Sequence, residues 1–160
     1  MDDPHKSLRT HLVKMMSASD AYVAMNKILA GWPPALQGVK PPGLPYSAWQ
    51  LLEHLRIAQW DMLEFSRNPK HKSPDFPDGY WPRAETPPDE AAWDKSVAQI
   101  GEDLRQMCEL VSDPAVDLFV RIPHGDGQTI LRESMVIAKH NAHHLGQLVL
   151  VRRLLGAWPD

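Results

Sequence analysis

The chain has 160 residues, with 43% hydrophobic and 23% charged side chains, a composition that suits one folded domain spanning residues 1–160 and argues against disorder. Its formal charge of -3 gives no global electrostatic case for gripping nucleic-acid phosphates, and no run approaches the ~20 apolar residues of a membrane helix. A single cysteine, Cys108, excludes an internal disulfide and a Cys-based zinc site, and the acidic start Met-Asp-Asp-Pro-His lacks an apolar signal core, so a cytoplasmic protein is expected.

Less ordinary are 15 prolines and 8 histidines. Proline lacks an N–H and its ring clashes with the preceding helical turn, so it ends helices. Four proline-free windows remain, at 5–32, 46–68, 89–113 and 124–158. Each is long enough for a helix that crosses a small domain, which predicts an all-α fold, a four-helix bundle.

In the first window Leu8, Leu12, Met15, Ser19, Tyr22 and Asn26 recur at helical spacing, and Gly31 sits where a C-terminal cap belongs. The second opens on Ser47-Ala-Trp-Gln50, a capping box in which each side chain satisfies the other's backbone amide. Its stripe runs Leu51, His54, Leu55, Ala58, Met62 and Phe65. The third has Thr86 as expected N-cap, before Pro87 and Pro88, then Trp93, Val97, Ile100, Leu104, Met107 and Val111. The fourth starts near Thr129, runs through Ile130, Glu133, Ile137, His140, His144, Leu148, Val151 and Leu155, and closes at Gly156. Asp117 to Ile122 alternates, reading as a short hairpin arm or an extended loop. The proline-rich stretch between the second and third helices covers about 20 residues and spans roughly 60 Å when extended, twice the ~30 Å of a 20-residue helix. It can leave those helices parallel, so an up-down-down-up order with long Pro-rich connections is expected.

The chemical signal is His140-Asn-Ala-His143-His144. Positions i and i+4 share a helix face, so His140 and His144 converge, and both interrupt an apolar stripe where leucine belongs. His54 does the same on the second helix. Three neutral imidazoles from two helices suit one divalent cation and leave coordination positions free for water or substrate. A histidine on an apolar face is often only a satisfied core residue; three of them unpaired are costly to bury. His143 reads as an outer partner or an exposed residue. Glu133, two turns before His140, either orients a ligand, acts as a general base or is solvated; Asp61, two turns after His54, reads as an outer partner of that histidine or as a second candidate for proton transfer. Gln50 reads as a cap or an outer partner of His54. Gly146 costs ~1 kcal/mol against alanine, and marks either room for a ligand, a close helix contact or chance. Trp32, Tyr80 and Trp81 in the connections shape a pocket or cover the bundle ends. Arg152 and Arg153 read as a solvated pair complementing the helix dipole. No role is assigned to His5, His11, His71 or His124.

Trp49-Gln-Leu-Leu-Glu-His54-Leu, Pro123-His-Gly-Asp-Gly-Gln-Thr129 and His140-Asn-Ala-His-His144-Leu-Gly-Gln147-Leu together resemble the DinB-like superfamily of bacterial four-helix metalloproteins, over nearly the whole chain. The resemblance implies the up-down-down-up bundle and a divalent ion (zinc, nickel, iron or manganese) on His54, His140 and His144. Where many relatives carry tyrosine just before the last ligand, this chain has His143. Some relatives are metal-dependent transferases or isomerases acting with low-molecular-weight thiols such as bacillithiol or mycothiol, and relatives are often homodimers. The expected function is a metal-dependent thiol transferase, isomerase or hydrolase acting on a small molecule, with no nucleic-acid or membrane partner. The alternative is a non-catalytic metal-binding or stress-associated protein.

Overall fold

A computed structural model describes residues 3–17, 21 and 23–158. Among the described residues, five α-helices carry the fold: α1 (Lys6–Ser17), α2 (Met25–Leu29), α3 (Ala48–Arg67), α4 (Ala92–Ser112) and α5 (Ile130–Leu154). They pack as a helical bundle, and among the described residues there is no strand. The alternating stretch is an extended loop, closed only by an antiparallel bridge between Arg121 and Thr129.

The first window holds two helices rather than one. Its inward positions are Leu12 and Met16 on α1 and Ile28 and Leu29 on α2, while Met15 is 54% exposed and Asn26 faces solvent. Ser19 and Tyr22 lie outside the described residues. Gly31 follows α2 in the left-handed region, at φ 61°.

α3 starts as expected. Ser47 Oγ accepts from Gln50 N and Gln50 Oε1 accepts from Ser47 N, both at 3.2 Å. Gln50 therefore serves as a cap. α4 begins later than expected, because Thr86 and Pro87 each precede a proline and are pushed out of the helical region. The chain turns instead at Asp89, whose Oδ1 accepts from Ala91 N at 2.8 Å, and Thr86 packs against Gly38. α5 opens on Thr129, whose hydroxyl accepts from Arg132 N at 3.1 Å. It ends with the Gly156 amide on the Arg153 carbonyl (3.0 Å) and the Ala157 amide on that of Arg152 (2.9 Å), with Gly156 at φ 66°.

The core has two halves. One joins the start of α3 (Trp49, Leu52), the start of α4 (Trp93, Ile100), the end of α5 (Leu148, Val151) and α2. The other joins the end of α3 (Met62, Leu63), the end of α4 (Met107, Val111), the start of α5 (Ile137, Ala138) and α1. Between them lies a polar layer: Gln59 Nε2 donates to the Ile100 carbonyl and Asn141 Nδ2 to Gln59 Oε1, both at 2.7 Å.

Two arginines sew the ends together. Arg9 donates to the Val111 and Val116 carbonyls at 2.8 and 2.7 Å. Arg152, expected in solvent, is 2% exposed and spends its guanidinium on the carbonyls of Lys27, Ile28, Ala30, Gly31 and Ala157. Those carbonyls end α2 and follow α5, where helical partners run out. Arg153 remains exposed, over the Trp158 ring.

Candidate metal centre

His54 stands on α3, and His140 and His144 stand one turn apart on α5, where the two helices face each other. His54 Nε2 lies 3.1 Å from His144 Nε2 and 3.0 Å from His140 Nε2. One ligand atom from each ring falls within 4.8 Å of the others. Ligands at the ~2.0–2.1 Å of zinc–imidazole bonds sit about 3.3 Å apart around a tetrahedral ion, close to the spacing found here.

The ring nitrogens facing away from the centre determine which atoms it receives. His54 Nδ1 donates to the Tyr80 carbonyl at 2.9 Å, and His144 Nδ1 donates to Gln147 Oε1 at 2.6 Å. Both acceptors hold the proton on Nδ1 and leave the Nε2 lone pair toward the centre. His140 Nδ1 is buried without a partner. Burial is the main reason all three imidazoles resist protonation. It lowers His54, takes His144 to about 4 and, with the neighbouring rings, takes His140 to about 3. At neutral pH the three are neutral donors, the form a divalent ion needs. The donor set fits such an ion.

The connection between α3 and α4 closes over this centre. Trp81 stacks on the His54 ring, with centroids 3.8 Å apart and planes 3° apart, and Tyr46 stacks on the outer face of Trp81 at 4.1 Å. Asp61 holds that connection: Tyr80 OH donates to its Oδ2 at 2.6 Å and His71 Nε2 meets its Oδ1 at 2.7 Å. Both carboxylate oxygens are thereby engaged, so Asp61 anchors the loop whose Tyr80 carbonyl orients His54. His71, which the sequence left without a role, is part of this anchor, with its ring edge-on to Trp60. Burial, and then the hydrogen bond to Asp61, push the Tyr80 hydroxyl well above its usual range.

A pocket of about 360 Å³ opens beside the histidines. His54, His140, Asp61, Glu133, Tyr80 and Trp81 all contribute to its wall. Glu133 is 2% exposed; burial raises its carboxyl, and an ion pair to Arg132 Nη1 at 2.7 Å opposes the rise. Trp32 is not part of this pocket: it is buried 5.2 Å from Trp93. His143 is exposed, its ring 4.8 Å from that of His144. His124 donates to the Phe65 carbonyl at 2.8 Å and His5 packs on Phe119, away from the three histidines.

Two substitutions near the centre have separable outcomes. Gln147→Leu removes the acceptor of His144 Nδ1–H and is expected to weaken divalent-ion affinity about 10–100-fold, measured by competition with a chromophoric chelator, with the helical signal unchanged. Gly146 is exposed and a Cβ there meets nothing within 4 Å, so it marks neither a close helix contact within the chain nor a wall of the pocket. Gly146→Ala is expected to raise stability by about 1 kcal/mol in urea unfolding.

The fold and this cluster define a helical-bundle protein with a three-histidine site able to hold a metal ion. A family model described as the DinB superfamily matches residues 19–148, and the chain belongs to that superfamily. Searches of curated proteins and of solved structures returned no match. Among the described residues, no helix is long and apolar enough to cross a membrane.

Proposed function

We propose that the protein is a metal-dependent enzyme that transfers or isomerises a low-molecular-weight thiol adduct, or hydrolyses a small substrate, with His54, His140 and His144 as ligands of one divalent ion. The observation that carries this is the pocket: about 360 Å³ of space walled by His54 and His140 of the three-imidazole cluster and by a buried carboxylate. A purely structural site is closed by protein ligands, whereas a catalytic one keeps a position and a space free. Zinc, nickel, iron and manganese all suit the donor set.

When bound, a divalent ion lowers the pKa of a thiol or water it coordinates, so that a nucleophile exists at neutral pH. The chain's own residues supply the rest. His54 and His144 present Nε2 because Tyr80 and Gln147 hold their Nδ1 protons. Trp81, flat on His54, excludes water from one side of the centre. Glu133 takes the thiol or water proton, its affinity for that proton raised by burial. Asp61 has both oxygens committed and positions the loop.

The test is turnover of a small thiol with 1-chloro-2,4-dinitrobenzene, alongside ester hydrolysis, using protein loaded in turn with each of the four ions. Activity that disappears in His144→Ala, with circular dichroism unchanged, supports the reading. An ion held tightly with no turnover of either kind overturns it and leaves the non-catalytic alternative.

The reading includes the up-down-down-up helix order. It is supported by the pairing of the starts of α3 and α4 with the end of α5 in one half of the core, and of their ends with the start of α5 in the other. A cytoplasmic homodimer is part of the same proposal, with exposed Leu150 and Leu154 near the end of α5 as its face; light scattering checks the dimer.

A further inference from the structure

A second and larger concavity lies between α1 and α5, with a volume of about 1030 Å³. Its apolar wall includes Met15 and Met135, which are 54% and 51% exposed. Two large flexible side chains left in solvent on facing helices are unusual, since methionine is mostly buried. Thioether side chains adapt to apolar ligands of varied shape. Among the described residues of the lining, the charged side chains are Lys14 on α1 and Arg132 and Lys139 on α5, with the polar His11 and Thr129 beside them. Arg132 is held by Glu133, whereas Lys14 and Lys139 make no ion pair among the described residues. On α1, positions 11, 14 and 15 share a face, and on α5 positions 132, 135 and 139 do, so each wall sets its cations beside its methionine.

We propose that this groove binds a small anionic amphiphile, its apolar chain between Met15 and Met135 and its anionic group between Lys14 and Lys139. The volume matches the upper range of small-molecule sites, which are mostly apolar with a few placed polar groups. The charge assigns the head group: an uncharged or cationic ligand gains nothing from Lys14 and Lys139, and a carboxylate or phosphate gains a partner from each helix. The source is a free molecule, because the charge flanks an apolar slot between two helices. Arg132 and Val136 line both this groove and the pocket beside the histidines, but none of the three histidines lines the groove. Binding here therefore does not require the ion.

The probe is decanoate, kept below its micelle concentration and titrated calorimetrically into the full chain, both ion-loaded and ion-stripped. Saturable binding of about one decanoate per chain is expected in both forms. Decanol and the Lys14→Glu/Lys139→Glu variant should each bind about tenfold more weakly, the loss expected of two partly exposed charge contacts. Ala142→Trp fills the groove and should abolish binding while the thermal melt stays cooperative. The proposal is overturned by absence of saturation, or by equal affinity for decanol. It is also overturned if the protein sediments with phosphatidylglycerol vesicles yet ignores decanoate, which assigns the groove to a membrane surface. A dimer that persists in decanoate and is split by Met15→Glu assigns it to a second copy, and overturns it as well.

Discussion

Protein purified without a histidine tag should carry about one divalent ion per chain by elemental mass spectrometry, and His54→Ala should carry almost none. The expected loss exceeds 100-fold in affinity, because removing only the outer hydrogen-bond partner of a ligand already costs about 10–100-fold. His54 is the decisive position. Its Nε2 lies within 3.1 Å of both other rings, so without it α5 offers a two-imidazole site with no donor from α3. The change should leave the bundle folded, since Leu51, Leu52 and Leu55 keep the packing of α3. The ion-stripped protein provides an internal check on the cause. His140 and His144 have folded values of about 3 and 4 against an ordinary 6.5, so between those limits the unfolded chain binds more protons than the folded one. Stability is then full above about pH 6.5 and falls as the solution is acidified towards pH 4. His140→Leu should flatten that fall, measured as urea midpoints from pH 7 to pH 4.5. An unchanged slope would mean that the ring gains protons freely in the folded state.

The prolines made three of the long helices legible, because in this chain they fall almost wholly in connections. The capping box at Ser47 and the cap at Thr129 could be read from side chains alone, since both act on amides three residues away. The three histidines were legible for a related reason: an ionisable ring in a leucine's position is conspicuous at helical spacing. The break between α1 and α2 was not. No proline or glycine falls between residues 18 and 24, so nothing in the sequence marks that α1 ends at Ser17 and α2 starts at Met25. The loop over the three histidines was equally hidden. Tyr80 and Trp81 lie 26 and 27 residues from His54, and nothing local says that a backbone carbonyl and an indole face will meet that ring. The contacts of Asp61 were hidden too, because spacing gives its direction but not its partners; Tyr80 and His71 approach it from outside its own helix.

Arg152 is where sequence and structure part most, and the consequence is measurable. Arginine is seldom fully buried unless paired, and near a helix C-terminus it ordinarily complements the dipole from solvent. Here five carbonyl oxygens converge on one guanidinium, and no carboxylate is needed because each carbonyl is a helix-end acceptor lacking a backbone donor. The planar fork suits this arrangement, with Nε, Nη1 and Nη2 each facing a different part of the chain. Trp32 and Trp158 add their ring faces at 5.2 and 5.9 Å. Burial lowers the pKa of Arg152, but from a starting value so high that the charge remains. Arg152→Met keeps the stem and removes the donors. It should cost about 3–5 kcal/mol in urea unfolding, several times a typical point substitution, because it strands buried carbonyls rather than merely deleting contacts. Arg152→Lys should fall between, since an ammonium reaches two or three of the five oxygens but not all. α2 is the element released, so hydrogen exchange should quicken first at Ile28 to Ala30, before any change at the histidines of α5. A loss below about 1 kcal/mol in Arg152→Met would mean that water reaches those carbonyls once the guanidinium is gone, and that α2 is held by Ile28 and Leu29 alone.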